Sequence, residues 1–396
     1  MLLRRIGKVI WIAPSEPERP GVQLVIMEVD GVESPAVNYT DLTGSLTIGD
    51  AVLLNTTAFD LGLGTGGVHF VIANMTDQLP NPCEQDQHAV SPRAVICDER
   101  QGVSKRRNLG HIMKLRYTPS QISVLSVEED DSPHREAIRA FQSLDGMPVV
   151  CCELHSQIAA VAAAVKAESE HKAKIAYVMT DGAALPLGFS MLYAELREKE
   201  LLDAGITCGQ AFGGDIEAIN LYTALIAAKQ VVGADIAVVC QGPGNAGTES
   251  KYGFSGLQQG EAINAVNALG GRAVAVLRMS FADRRERHRG ISHHSKTVLE
   301  KIAVTKAYIA VPELRDECMV GVEEQLSGME LSRHEICRID AGIGLSELAR
   351  SDVRVTTMGR CVKEDEAFFL AASGAGVLAV QLSSAGYGSV RRNRPA

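Results

Sequence analysis

The chain has 396 residues, a length at which one hydrophobic core usually gives way to two or more domains. Its hydrophobic fraction of 46% and its charged fraction of 22% are those of a globular protein and exclude a largely disordered chain. The net charge of −9 argues against a general nucleic-acid-binding surface, because neutralising phosphates requires a basic face.

The start of the chain and its apolar segments predict a cytoplasmic protein with no membrane partner. Residues 1–8 lack the long apolar region and the small-residue cleavage site of a signal peptide. The most apolar helical pattern, 158–165, is far shorter than the ~20 residues that span a bilayer. Nine scattered cysteines without a Cys-x-x-Cys pair predict neither a disulfide framework nor a zinc knuckle, and we assign none of them a catalytic role.

Residues 1–118 carry the pattern of a small antiparallel β-barrel domain. Runs rich in Val, Ile and Leu alternate with turn signals such as Pro20-Gly21, and no helical pattern lies between them. Closely spaced strands of this kind are typical of a small barrel. The predicted strands are 6–13, 22–29, 51–55 and 68–73, and the segments 93–97 and 111–117 are expected to complete the domain.

From residue 119 onward, short apolar runs alternate with helical periodicity. Continuous apolar strands joined by helices indicate a parallel sheet that is covered on both faces. We therefore expect residues 119–396 to form a doubly wound α/β domain, and a (β/α)8 barrel stays open because the strand count does not separate the two. The predicted strands are 122–127, 149–152, 175–179, 206–212, 236–240, 273–277, 307–311, 353–357 and 377–382.

Polar and glycine-rich loops follow most of these predicted strands, where ligands bind in either architecture. Helix capping explains a single Asp or Ser at such a place, but the opposite connections are only short helix-ending turns. This asymmetry predicts one functional face of the α/β domain. The residues expected there are His155, Asp181, Asp215, Asn245 and His288, with Glu153 and Arg360 in supporting positions.

Two segments match the pattern Gly-x-Gly-x-x-Gly. The first, 62–67, precedes a predicted strand and is therefore expected to form a hairpin rather than a nucleotide-binding loop. The second contains Gly242, Gly244 and Gly247 and follows a strand, but the next helical pattern begins only near residue 256. A pyrophosphate site at a helix N-terminus is therefore weakly supported. The loop, with Asn245, can still offer donors to an anion, and we assign no cofactor.

Arginine and histidine are concentrated between residues 278 and 296, where six Lys and Arg side chains stand against two acidic ones. Solvated loops usually mix the two signs, so this excess favours bidentate capture of phosphate or carboxylate. We expect Arg284, Arg287 and Arg289 to hold the anion. The alternative is a structural hub of ion pairs.

The candidate catalytic residues are His288, His293 and Asp181, because imidazole titrates near neutral pH and a carboxylate, Asp181 or Glu153, can orient it. His293 and His294 are adjacent, and neighbouring side chains point in different directions in regular structure. No two histidines on one helix face with an acidic ligand are present. Together with His288 or His155, this adjacent pair could still form a metal site, but we assign no metal ligand.

Several longer segments are familiar as a set: NTTAFDLGLGTGG at 55–67, HIMKLRYTP at 111–119, DGAALP at 181–186 and RRERHRGISHH at 284–294. With them the chain resembles, over nearly its full length, an uncharacterised bacterial family, domain of unknown function thirty-eight sixty-six. The resemblance implies a bacterial cytoplasmic protein and supplies no activity, substrate or catalytic residue.

Two functions from different classes follow from these patterns. The first is an enzyme that acts on a small anionic metabolite at the carboxyl edge of the sheet. The second is a non-catalytic sensor or scaffold that binds a metabolite or a partner protein, with the β domain as an interaction module. A homo-oligomer is compatible with both.

Overall fold

The computed structural model describes residues 3–14, 18–60, 67–76, 110–118, 120–182 and 185–384. The chain divides into two units, Met1–Leu109 and Gly110–Ala396. The predicted strand 93–97 and residues 62–66 of the predicted glycine-rich hairpin lie outside the described residues. Gly67 is described, and a strand rather than a helix follows it at His69–Asn74.

The first unit is a closed five-stranded barrel in the order β1-β2-β3-β5-β4. All its pairings are antiparallel except that of β3 with β5. This arrangement is that of an OB-fold barrel. The expected small barrel is thus confirmed, with one parallel pair. The elements are β1 Arg4–Ile12, β2 Val22–Val29, β3 Val32–Tyr39, α1 Thr40–Thr43, β4 Ala51–Asn55, α2 Thr57–Asp60 and β5 His69–Asn74.

Alternating apolar side chains on the barrel strands build its core. Val25, Met27 and Val29 of β2 are buried at every second position, and Val52 and Leu54 of β4 repeat the pattern. The sequence did not predict β3, because Ser34 and Pro35 interrupt its apolar pattern.

The second unit contains the remaining elements. Its strands are β6 Ile112–Lys114, β7 Ile122–Val124, β8 Pro148–Cys151, β9 Ile175–Thr180, β10 Ala204–Thr207, β11 Ile216–Glu217, β12 Ile236–Gln241, β13 Arg272–Ala275, β14 Met279–Ser280, β15 Gly290–Ile291, β16 Tyr308–Pro312, β17 Glu335–Ile339, β18 Thr356–Thr357 and β19 Arg360–Cys361. Its α-helices are α3 Arg135–Arg139, α4 Gln157–Glu168, α5 Met191–Glu198, α6 Leu221–Ala227, α7 Gln258–Ala268, α8 His293–Thr297, α9 Asp316–Ser327, α10 Gly342–Arg350 and α11 Glu366–Ser384.

Eight of these strands form one open parallel sheet in the order β11-β10-β9-β12-β8-β13-β16-β17. One hydrophobic cluster joins it to α6, α7 and α9, and a second joins it to α4, α5, α10 and α11. Helices on both faces of an open sheet make the fold doubly wound, as predicted, and exclude the (β/α)8 barrel.

The sheet has a switch point between its two central strands, β8 and β12. The chain leaves β8 through α4 on one face and goes to β9, whereas it leaves β12 through α7 on the other face and goes to β13. The connections therefore diverge above the adjacent carboxyl ends of β8 and β12. A crevice of this kind is where doubly wound sheets bind ligands.

Five of the strand predictions differ from the structure. Segment 122–127 holds only β7, which lies with β6 in a separate two-stranded sheet, and the strand predicted at 206–212 is β10, which ends at Thr207. Segment 111–117 does not complete the barrel; it contributes β6, which pairs with β7 in the second unit. Segment 377–382 lies inside α11, and 353–357 holds only the two-residue β18 outside the main sheet. The helix α11 packs on α4 and is buried on most sides, so apolar residues surround it. Its sequence therefore lacks the apolar and polar periodicity by which a helix is recognised.

The helix α11 is, among the described residues, the one element long and apolar enough to cross a membrane, with a mean hydropathy of 1.4 over Glu366–Ser383. Of this window, 67% is buried inside the protein, against α4, α10 and β16. Such burial is the behaviour of a core helix in a soluble protein.

Candidate functional site

Glu153 lies directly beyond β8 at the switch point and is fully buried. Its Oε1 atom accepts hydrogen bonds from Arg278 Nη1 at 3.1 Å and from His294 Nδ1 at 2.7 Å. Burial alone would raise the pKa of Glu153, but the hydrogen bond from His294 and the charge of Arg278 hold it below its ordinary value. Glu153 is therefore an ionised carboxylate inside the protein.

The chain segment that follows β13 carries the other members of this site. Strands β14 and β15 form a two-stranded ladder, and a short 3-10 turn at Glu286–His288 precedes β15. Ser292 then caps α8, since its Oγ accepts the backbone N–H of His294. This cap places His293 and His294 in the first turn of a short helix.

His288, His293 and His294 form a cluster of three imidazole rings, which we call the histidine trio. The ring centroids are 4.4 to 5.0 Å apart, and one ring nitrogen from each residue lies within 4.8 Å of the others. Adjacent residues of a helix point in different directions, yet the ring centroids of His293 and His294 are only 4.4 Å apart. Here the helix start and the preceding turn bring the rings together instead.

Packing and hydrogen bonds hold two of these rings in place. The ring of His294 stacks on Phe254 at 3.7 Å between centroids with an interplanar angle of 1°. The Nδ1 atom of His288 lies 2.8 Å from Ser292 Oγ. Burial, then the charges of Arg278 and Arg285, lower the pKa of His288 to about 3, and burial with neighbouring positive groups also lowers the pKa of His293. Both imidazoles are thus neutral at pH 7.

The glycine-rich loop after β12 borders the histidine trio. Its Asn245 accepts hydrogen bonds from Gln241 and Ser255, and Gln241 in turn donates to the backbone carbonyl of Glu153 at 2.9 Å. A Cβ atom at Gly247 would lie 3.6 Å from Cε1 and 4.0 Å from Nε2 of His294. Gly247 lies beside His294 and Asn245 is linked to Glu153 through Gln241, while no described contact brings Gly242 or Gly244 to the trio.

Gly256 packs on the carboxylate from the other side. A Cβ atom there would approach Glu153 Cγ to 2.6 Å, so only glycine fits without displacement. A narrow cavity beside Glu153 is lined by Thr180, Gln241 and Gln258 and is too small for a metabolite. A bound metabolite would therefore contact the solvent-facing side of the site, where Arg287 lies, which we call its outer side.

Several buried polar atoms at this site have no hydrogen-bond partner among the described residues. They are Glu153 Oε2, Gln241 Oε1, Arg287 Nε and His293 Nε2. Elsewhere in the described chain only two such side-chain atoms occur, in His69 and Arg135. Folded proteins satisfy most buried polar atoms, so these four atoms are positions for a ligand or for an ordered water.

The arginines of the loop do not act as one clamp. Arg285 pairs bidentately with Asp283, and Arg360 pairs with Asp365 at 2.9 Å, so both are structural. Arg287 contacts only the exposed Glu249 at 2.9 Å and lies close enough to His293 to affect it. Arg284 and Arg289 are exposed and make no ion pair with any described residue. The loop therefore contains both a structural ion pair, made by Arg285, and exposed arginines without a carboxylate partner among the described residues.

Three predicted site residues have other partners. His155 is buried, with its Nδ1 3.0 Å from the Tyr177 hydroxyl and its Nε2 2.6 Å from Ser190 Oγ. Burial lowers the pKa of His155 to about 4. Asp181 accepts the backbone N–H of Gln210. Asp215 accepts the N–H of Gly205 near the start of β10, away from the carboxyl edge. These three residues support loops rather than join the trio.

Arg278 and His294 had no predicted role, and Gln241, Phe254 and Gly256 were not predicted to lie at the site. The available signal was position, because Gln241 ends a predicted strand and Arg278 begins the polar segment after another. Contacts between residues far apart in the chain, such as Arg278 with Glu153, leave no local pattern.

Comparison with known proteins gives one match. A family model described as "Protein of unknown function (DUF3866)" matches residues 35–376, as the resemblance implied. No curated protein and no solved structure matches the chain.

Proposed function

The chain belongs to the DUF3866 family, whose function is unknown, and from its site we propose that it is an enzyme acting on a small phosphate- or carboxylate-bearing metabolite. The observation that carries the proposal is the Arg287 guanidinium, whose Nε has no partner among the described residues, beside the three imidazoles above the carboxyl ends of β8 and β12. Doubly wound sheets bind their ligands at this position. We further propose that the protein is bacterial and acts in the cytoplasm.

The anionic character of the ligand follows from the charges at the outer side of the site. Arg287 is one-third exposed, and its partner Glu249 is 86% exposed. An ion pair this open to water contributes about 0 to 1 kcal/mol, so an incoming phosphate or carboxylate can replace Glu249 at little cost. Arg287 then offers its guanidinium to the anion in bidentate geometry.

The residues of the proposed site have separate roles. Arg287 binds the anion, and the loop of Asn245 and Gly247 borders it. Glu153 and Arg278 are positioning residues, because they fix the ring of His294 and face the protein interior. Asp181 has no part in this proposal, because its carboxylate is engaged with the backbone of Gln210.

Thermal unfolding in the presence of inorganic phosphate and of small phosphorylated and carboxylated metabolites tests the binding step. A ligand at 100 times its dissociation constant stabilises by about 2.7 kcal/mol, and the gain from an anion should fall as salt rises. Arg287→Ala should lose this gain. Arg338→Ala, which opens a comparable exposed pair with Glu323, should keep it.

The outcomes separate the two functional classes. If no anion stabilises the wild-type chain, or if Arg287→Ala responds as the wild type does, the anion site is wrong. A stabilising metabolite is then incubated with the protein and followed by mass spectrometry. Conversion in molar excess over protein supports an enzyme, whereas an unchanged ligand supports the sensor.

A further inference from the structure

The histidine trio has a geometry that anion binding does not require. One nitrogen from each ring lies within 4.8 Å of the other two. A tetrahedral metal ion about 2.1 Å from each nitrogen would hold the three about 3.4 Å apart. The rings are therefore within a small side-chain adjustment of a three-histidine metal site.

We propose that His288, His293 and His294 bind one divalent transition-metal cation of the zinc class through their Nε2 atoms. This inference goes beyond the proposed function and does not depend on it. Imidazole nitrogen is a preferred ligand of such ions.

The hydrogen bonds of the rings select these atoms. Nδ1 of His294 faces the carboxylate oxygen of Glu153 at 2.7 Å and Arg278 Nη1 at 3.0 Å. Because Arg278 Nη1 also donates to that carboxylate oxygen, at 3.1 Å, the shorter contact of the ring with the ionised carboxylate places the proton on Nδ1 and leaves the lone pair on Nε2. Nδ1 of His288 is engaged with Ser292 Oγ at 2.8 Å, which leaves Nε2 as the ring nitrogen open to a ligand. His293 Nε2 is buried and has no partner among the described residues.

The contact of Glu153 with His294 matches an arrangement common to metal sites, in which a carboxylate orients a histidine ligand from behind. Each of the three arginines nearest the trio has a carboxylate partner. Arg278 is matched by Glu153, Arg285 by Asp283 and Arg287 by Glu249. These carboxylates offset part of the repulsion that the arginines exert on a cation. Part of it remains, since burial and then the charges of Arg278 and Arg285 lower the pKa of His288.

Three protein ligands leave a coordination position for water or for a ligand, as in catalytic rather than structural zinc sites. A bound cation would add positive charge beside Arg287, and both would attract an anion to the outer side of the site. The proposed metal and the proposed anion are thus compatible at one place.

A titration of the full chain, prepared without a histidine tag and stripped with a chelator, tests the metal site. Co²⁺ is added and the visible absorption of a tetrahedral cobalt complex is followed, and Zn²⁺ is then used to displace it. We expect one equivalent per chain. His293→Ala should weaken binding by at least about 10-fold, and Glu153→Gln by about 10- to 100-fold.

His171→Ala is the matched control, because His171 is half-exposed and contacts Glu347 far from the trio in the sequence. It should bind Co²⁺ as the wild type does. His293→Ala removes a side chain with no hydrogen bond to a described residue, so circular dichroism and thermal unfolding should show a folded variant.

The inference is overturned if the wild type binds no stoichiometric Co²⁺ or Zn²⁺, or if folded His293→Ala binds as tightly as His171→Ala. A wild-type chain that binds no metal but is stabilised by an anion would refute this inference and leave the proposed function standing. A wild-type chain that binds the metal but shows no stabilisation by any anion would support this inference and refute the proposed function.

Discussion

His294 and Glu153 are joined by a 2.7 Å hydrogen bond although they are 141 residues apart in the chain. The bond ties the start of α8 to the carboxyl end of β8, and Arg278 reaches the same carboxylate oxygen. The fully buried carboxylate of Glu153 thereby holds the side chains of Arg278 and His294 in place. The positions of the site residues depend on this carboxylate.

Replacing Glu153 with Gln should destabilise the protein strongly. The change leaves the Arg278 guanidinium, which is 6% exposed, without its buried carboxylate. Breaking a buried pair on one side costs about 3 to 5 kcal/mol. Denaturant unfolding followed by circular dichroism measures the loss.

Glu335→Gln is the control for this change. It breaks the half-exposed pair with Lys306, which should contribute no more than about 1 kcal/mol. Equal losses in the two variants would contradict the view that burial makes Glu153 special.

Two glycines near the site should differ in their response to an added methyl group. In Gly256→Ala the new Cβ would lie 2.6 Å from Glu153 Cγ, an overpacking that costs about 1 to 3 kcal/mol. In Gly247→Ala the nearest atom, Phe254 Cβ, is 3.5 Å away, an ordinary contact. Unfolding free energies should therefore fall for Gly256→Ala and barely change for Gly247→Ala. The reverse order would show that the packing around Glu153 differs from this structure.

His155 should make stability depend on pH in a defined window. Its pKa is about 4 in the folded protein against 6.5 for the ordinary side chain, chiefly because of burial. As pH falls below 6.5 the unfolded chain takes up the proton first, so stability is present above pH 6.5 and is lost down to about pH 4. The full effect is about 3 kcal/mol.

Unfolding of the wild type and of His155→Gln at several pH values isolates this contribution, because the other titrating groups are common to both. The wild type should lose more stability than the variant between pH 6.5 and 4. Parallel curves would mean that His155 is not held neutral.

Much of the fold was predictable because local patterns report burial. The apolar strands β8, β9 and β12 lie at the sheet centre, where every side chain is buried, and their runs were recognised. The edge strand β17 was missed, because four of its five residues are at least partly exposed and its sequence, EICRI, mixes charged and apolar types.

The site was predictable only in part. Loops after parallel strands pointed to Glu153, Asn245, His288 and His293, which do lie near one another through shared partners. Asp181 and Asp215 follow strands as well, but their carboxylates bind backbone amides. Strand-end position does not distinguish a capping carboxylate from a functional one, because the distinction rests on contacts made across the fold.

The most direct test of the proposed site is a crystal structure of the tag-free chain soaked with selenate, with diffraction data collected at the selenium edge. The account predicts an anomalous peak within hydrogen-bonding distance of Arg287, beside His293 and the loop of Gly247. Selenate bound only at Arg284, Arg289 or elsewhere, with Arg287 still paired to Glu249, would contradict it.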